Sequence, residues 1–156
     1  MKWSEVLEDP TLRDLPYKIE LNEHGSIVMT PASNRHARSQ SLVTKHLWEL
    51  APGGTVLVEC SVATAKGVKV PDVAWLSDAF VAAHGEETPY TAAPELCVEI
   101  VSPSNSAAEM EEKRNLYFAR GAQEVWLCDE EGRVEFFTPE GRAEASTLFP
   151  AFPSRV

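Results

Sequence analysis

At 156 residues and 44% hydrophobic content the chain is long enough to bury one sizeable core, and a single domain over 1–156 is expected. With 24 acidic against 14 basic residues the net charge is −10, which excludes non-specific wrapping of DNA by a basic surface; a nucleic-acid partner needs a local basic patch or a metal to offset the field. The opening MKWSEVLEDP holds no apolar run of signal-peptide length and no later stretch approaches the ~20 apolar residues of a membrane span, so the chain reads as soluble and cytoplasmic.

Residues 3–8 suit one short helical turn, ended at Asp9-Pro10 because the residue before proline is pushed out of the α region. Strand-like runs at 17–21 and 26–30 flank Asn22-Glu23-His24-Gly25, a hairpin turn. After the loop Pro31-Ala32-Ser33-Asn34, Ser33 or Asn34 can cap a helix. Its apolar positions Leu42, Val43, Leu47 and Leu50 recur at helical spacing up to Ala51, before Pro52-Gly53-Gly54.

TVLVECSVA (55–63) and VKVPDVAWL (68–76) read as two sheet strands around a Lys66-Gly67 turn. Ser77 to Ala93 reads as a loop with at most one helical turn. ELCVEIV (95–101) is a buried central strand, followed by a helix capped at Ser104, Asn105 or Ser106 and running to Arg120, with Gly121 as its stop. EVWLCD (124–129) and RVEFF (133–137) form a second hairpin about Glu130-Glu131-Gly132, and the tail from Thr138 is expected to hold little regular structure. This order predicts an α/β (α+β) layered fold with a mixed sheet flanked by helices. Cys60, Cys97 and Cys128 sit in apolar strands without paired spacing, as small buried thiols would, and Trp75 and Trp126 read as core.

Three charged residues stand out against apolar surroundings. Asp72 in VPDVAWL and Glu99 in ELCVEIV are costly to bury without partners. On adjacent strands they would jointly suit a hard cation such as Mg²⁺; otherwise Asp72 merely begins an edge strand and Glu99 pairs with a buried Arg or Lys. Lys113 lies on the helix stripe of Met110, Leu116 and Tyr117, so its ammonium either enters a polar pocket or forms a surface pair with Glu109. Glu59, Gln123 and Glu124 are weaker candidates, each with a structural alternative.

The succession VPDVAWL, PELCVEIVSPSN, a helical lysine and YFARGAQEVWLCD resembles the Uma2 (DUF820) proteins, a branch of the PD-(D/E)XK restriction-endonuclease-like superfamily. KIELNEHGSIVMTPASNRH matches the N-terminal pattern of the same group, so the resemblance covers roughly 17 to 137. It implies a mixed sheet of four or five strands and a metal-dependent phosphodiesterase site. Asp72 and Glu99 would be the acidic pair holding Mg²⁺ or Mn²⁺, and Lys113 the catalytic lysine that orients the attacking water or stabilises developing negative charge. Val101 stands where the E-x-K pattern has lysine, and Lys113 on the next helix matches instead. Glu20 and His36 fall at shared positions, as an accessory ligand and a phosphate or proton-transfer group respectively; the alternatives are a solvated strand carboxylate and a capping histidine. The implied reaction is phosphodiester hydrolysis in DNA, and cutting both strands makes a homodimer an expectation. A nuclease fold without turnover, serving as a binding scaffold, and a hydrolase of small phosphodiesters are the competing readings; the acidity favours both.

Overall fold

Local sequence signals set most of the element boundaries in the computed structural model, which describes residues 1–156. The short helix α1 (Trp3–Glu8) stops before Pro10, and Val6 on its inner face packs with Leu21 and Val68. Strands β1 (Tyr17–Leu21) and β2 (Ile27–Pro31) form an antiparallel hairpin in a two-stranded sheet of their own. Its turn is closed by the Asn22 side-chain oxygen, which accepts from the His24 and Ser26 N–H groups at 3.0 and 2.9 Å. Helix α2 (Asn34–Leu50) starts where the Ser33 hydroxyl accepts the His36 N–H, at 3.0 Å, and buries Ser39, Val43 and Leu47 along one face.

The predicted strands 55–63 and 68–76 are each broken in two. They become β3 (Thr55–Val58), β4 (Val62–Thr64), β5 (Gly67–Lys69) and β6 (Val73–Leu76). Glu59, at φ 57°, lies in the left-handed region that ends a strand, and Pro71 has no N–H to give a ladder. β3 pairs with β6 in the main sheet, whereas β4 and β5 form a separate ribbon beside β1. Gly67, at φ 86°, is required in that ribbon, since a Cβ there would land on the Leu21 and Asn22 carbonyl oxygens. The stretch 77–93 is more regular than expected: Ser77 caps a two-turn helix, α3 (Asp78–His84), whose Phe80 stacks edge-on against Tyr90.

Strands β7 (Leu96–Val101), β8 (Glu124–Asp129), β9 (Val134–Thr138) and β10 (Gly141–Ala143) complete a six-stranded mixed sheet ordered β10-β9-β8-β7-β6-β3. Only β7 and β8 run parallel, joined through α4 (Ala107–Ala119), which the Ser106 hydroxyl caps. The sheet exceeds the four or five strands expected because the tail adds β10 and the short β3 closes the other edge. The tail also sends Phe149 and Phe152 against Trp126, so its sparse regular structure still builds core. No helix is long and apolar enough to cross a membrane.

Strand alternation sorts β7 between the two layers. Leu96, Val98 and Ile100 face the α2 side with Val43, Leu47, Trp75 and Trp126. Cys97 faces α4 with Tyr117, and Glu99, two residues on, takes the same side. Cys97 and Cys128 are buried free thiols and Cys60 is half-buried; burial pushes Cys60 and Cys128 up to about 12.

Candidate active site

β6 and β7 run antiparallel with Val73 opposite Val98; one step beyond lie Asp72 and Glu99. This brings together two carboxylates that are 27 positions apart in sequence, on the side of the sheet that α4 and the β1–β2 hairpin cover. Their side chains retain only 1% and 3% exposure.

Each carboxylate is held by one oxygen and offers the other. Asp72 Oδ2 accepts the Ile100 N–H at 2.7 Å. Glu99 Oε1 accepts the Tyr117 hydroxyl at 2.7 Å and the Lys113 ammonium at 3.2 Å. The remaining oxygens, Asp72 Oδ1 and Glu99 Oε2, meet at one cation, Lys18 Nζ, at 3.0 and 3.2 Å. Glu20 stands on the same face of β1 as Lys18; its Oε1 accepts from Lys113 at 2.9 Å and from the Val70 N–H at 2.7 Å. His36, on the first turn of α2, reaches Asp72 Oδ1 with Nε2 at 3.4 Å, and one turn later Gln40 Nε2 donates to the Asp72 carbonyl at 2.9 Å.

The five residues singled out from sequence, Asp72, Glu99, Lys113, Glu20 and His36, therefore converge. Lys113 points into the cluster and not to Glu109, and Glu20 is buried, not solvated. The weaker candidates do not join them. Glu124 is buried at the far end of the sheet, accepting from the Ser146 hydroxyl and the Leu148 N–H at 2.9 and 2.8 Å. Gln123 is exposed, and Glu59 is exposed beside a smaller neighbouring cavity. Sequence reasoning missed Lys18, Gln40 and the Tyr117 hydroxyl. Lys18 carried a signal, because K-I-E places it two residues from Glu20 on one strand face.

Three carboxylates share two ammoniums, so they ionise unequally. Burial works to raise Asp72, but the His36 hydrogen bond, the Lys18 charge and the Ile100 N–H outweigh it and hold Asp72 below the usual carboxylate range. Burial also opposes ionisation of Glu20, where Lys113 and Lys18 prevail and lower it. At Glu99 burial prevails, reinforced by the charges of Asp72 and Glu20 against the pull of Lys113 and Lys18, and its pKa rises. Lys18 is disfavoured as a cation by burial yet held charged, above the ordinary lysine value, by Glu99, Asp72 and Glu20. His36 is raised by its hydrogen bond to Asp72.

The donors suit a hard divalent cation. Two carboxylate oxygens, each fixed by a second bond to its partner oxygen, already meet one cation, and the set is all oxygen. No group of three or more His, Cys, Asp or Glu side chains is arranged to hold a metal ion, and Asp72 and Glu99 are the two carboxylates whose oxygens meet at one point. The cluster opens into a cavity of about 220 Å³ whose outer wall carries Glu109, Glu112 and Glu130.

Known proteins resemble this chain over most of its length. A solved structure titled "Crystal structure of a putative nuclease belonging to DUF820", from Anabaena variabilis, superposes with a TM-score of 0.70 at 20% identity. The match covers 90% of this chain and 80% of that one and establishes a common fold. No curated protein matches the sequence. The Uma2 family model, described as "Putative restriction endonuclease", matches residues 5–153, and the chain belongs to the Uma2 family.

Proposed function

We propose that the protein is a divalent-metal-dependent endonuclease of the PD-(D/E)XK type that hydrolyses phosphodiester bonds in DNA, with Mg²⁺ or Mn²⁺ held by Asp72 and Glu99. The observation that carries this reading is the meeting of Asp72 Oδ1 and Glu99 Oε2 at a single cation, beside a second ammonium on α4. A metal at that point supplies Lewis acidity toward a phosphoryl oxygen and toward water. The chain's own groups do the rest. Lys113, fixed by Glu20 and Glu99, orients the attacking water and stabilises developing negative charge. Tyr117 and the Ile100 N–H lock the rotamers of Glu99 and Asp72, so Glu99 Oε2 and Asp72 Oδ1 stay aimed at one point. His36 sits on the cavity wall, where it can meet a phosphate or exchange a proton.

The acidic wall of Glu109, Glu112 and Glu130 favours a second reading, hydrolysis of a small phosphodiester, because a short substrate avoids docking a long polyanion. Purified protein with Mn²⁺ or Mg²⁺ is expected to cleave linear, supercoiled or single-stranded DNA at low salt. Asp72→Ala, Glu99→Ala and Lys113→Ala should each lower the rate about a hundredfold or more. Cleavage shared equally by wild type and variants belongs to a contaminant and sinks the assignment. Inactivity on every DNA alongside turnover of a small aryl phosphodiester selects the second reading, and two-strand cutting predicts a dimer by light scattering.

A further inference from the structure

Lys18 has no role in the reaction described above, yet it occupies the centre of the site. It enters from β1, on the strand face it shares with Glu20, and its side chain keeps only 10% exposure. Its ammonium takes Asp72 Oδ1, which His36 Nε2 also approaches at 3.4 Å, and the otherwise unbonded Oε2 of Glu99, the point where a divalent cation would sit. Two cations cannot share that gap. Charge points the same way: Glu20, Asp72 and Glu99 oppose Lys18 and Lys113, leaving one negative charge in excess when His36 is neutral. Adding a divalent cation beside both ammoniums would leave one positive charge in excess. With Lys18 withdrawn, metal and Lys113 balance the three carboxylates.

There is room for withdrawal. Lys18 lines the main cavity and also a second one of about 140 Å³, bounded by Tyr17, Thr30, His36 and Glu59. Lysine suits such a movement, having a flexible four-carbon stem and a compact ammonium, where a planar guanidinium would lock into a carboxylate pair.

We propose that Lys18 is the resident counter-ion of the Asp72–Glu99 gap, displaced toward the second cavity when a divalent cation binds, so that it sets the metal affinity of the site. This rests on the metal-dependent reading above. The metal-free protein is meanwhile spared the repulsion of three packed carboxylates.

Calorimetric titration with Mn²⁺ compares wild type, Lys18→Met and Lys18→Arg at one pH and salt. Lys18→Met is expected to bind Mn²⁺ about tenfold more tightly than wild type or beyond. It should melt lower than wild type without metal and gain more from added Mn²⁺. Lys18→Arg, which keeps the charge, should bind no more tightly than wild type. Equal or weaker Mn²⁺ affinity in Lys18→Met overturns the proposal. Asp72→Asn in the Lys18→Met background separates the two failures. If it abolishes Mn²⁺ binding while Lys18→Met matches wild type, only the counter-ion role falls. If it leaves binding unchanged, the metal sits elsewhere and both readings fall. Should Lys18→Met not fold, the wild type still decides: a protected Lys18 ammonium resonance in ¹⁵N-labelled protein is expected to vanish on saturation with Mg²⁺, and its persistence would overturn the proposal.

Discussion

Asp72 shows how much one side chain can be asked to hold. A carboxylate with almost no exposure costs several kcal/mol to desolvate, and it stays ionised only because His36, Lys18 and the Ile100 N–H all favour the charged form. The converse effect on His36 makes a measurable pH dependence. Its pKa is raised in the fold, so its stabilising contribution is whole below the ordinary histidine value of about 6.5 and is lost as pH rises through the raised value. The metal-free protein should therefore become less stable to urea as pH climbs past about 6.5, and His36→Gln should flatten that slope. An equal slope in the variant would show that some other group titrates there. Asp72 contributes with the opposite sense: its share is present above the ordinary aspartate range and declines as pH falls.

At the scale of elements, the site depends on short pieces whose ends are tied down by side chains. The Ser33 hydroxyl starts α2 three residues before His36, and the Ser106 hydroxyl starts α4 seven before Lys113, so each cap fixes the start of the helix that carries a residue of the cluster. β8, the parallel neighbour of β7, is anchored differently. Its first residue, Glu124, collects the Ser146 hydroxyl and the Thr147 and Leu148 N–H groups, and this staples the tail that carries Phe149 and Phe152 into the core. Glu124→Ala leaves these donors unpaired and should destabilise the fold by about 2–4 kcal/mol. Chemical denaturation checks the size, and a loss within about 0.5 kcal/mol would mean that the tail holds without the staple.

For the whole molecule the governing quantity is the net charge of −10. A polyanionic substrate would have to approach by the least acidic route, and α2 carries exposed Arg35 and Arg38, outside the cavity lining but on the helix that brings His36 to it, whereas the α4 side of the cavity carries Glu109 and Glu112. If about two phosphates are neutralised there, cleavage at sub-saturating DNA should fall about tenfold between ~50 and ~200 mM salt. Arg35→Ala combined with Arg38→Ala should lower the low-salt rate and flatten that dependence. Rates indifferent to salt would argue against this approach and for a small, weakly charged substrate.

The sequence by itself determined the elements whose causes are local. The Asn22 turn, the helical stripe of α4 and the apolar run of β7 all act within a few residues and are found where their signals stand, while the caps were legible only to within two or three residues, and the structure selects Ser33 over Asn34 and Ser106 over Ser104 and Asn105. Charged residues in apolar strands marked Asp72 and Glu99 because burial of charge demands a partner wherever the strand ends up. Tertiary structure alone decided who the partners are. Lys18 meets Asp72 and Glu99 across 54 and 81 residues of chain, and the Tyr117 ring, legible as core, turns out to direct its hydroxyl onto Glu99. The break at Pro71 had a local cause, a residue without an N–H inside an otherwise strand-like run, whereas the left-handed turn at Glu59 and the division of 55–63 and 68–76 between two sheets appear only in the tertiary structure. Propensity and periodicity report on neighbours in sequence, whereas a charge cluster is built from residues that only strand register and helix docking make neighbours.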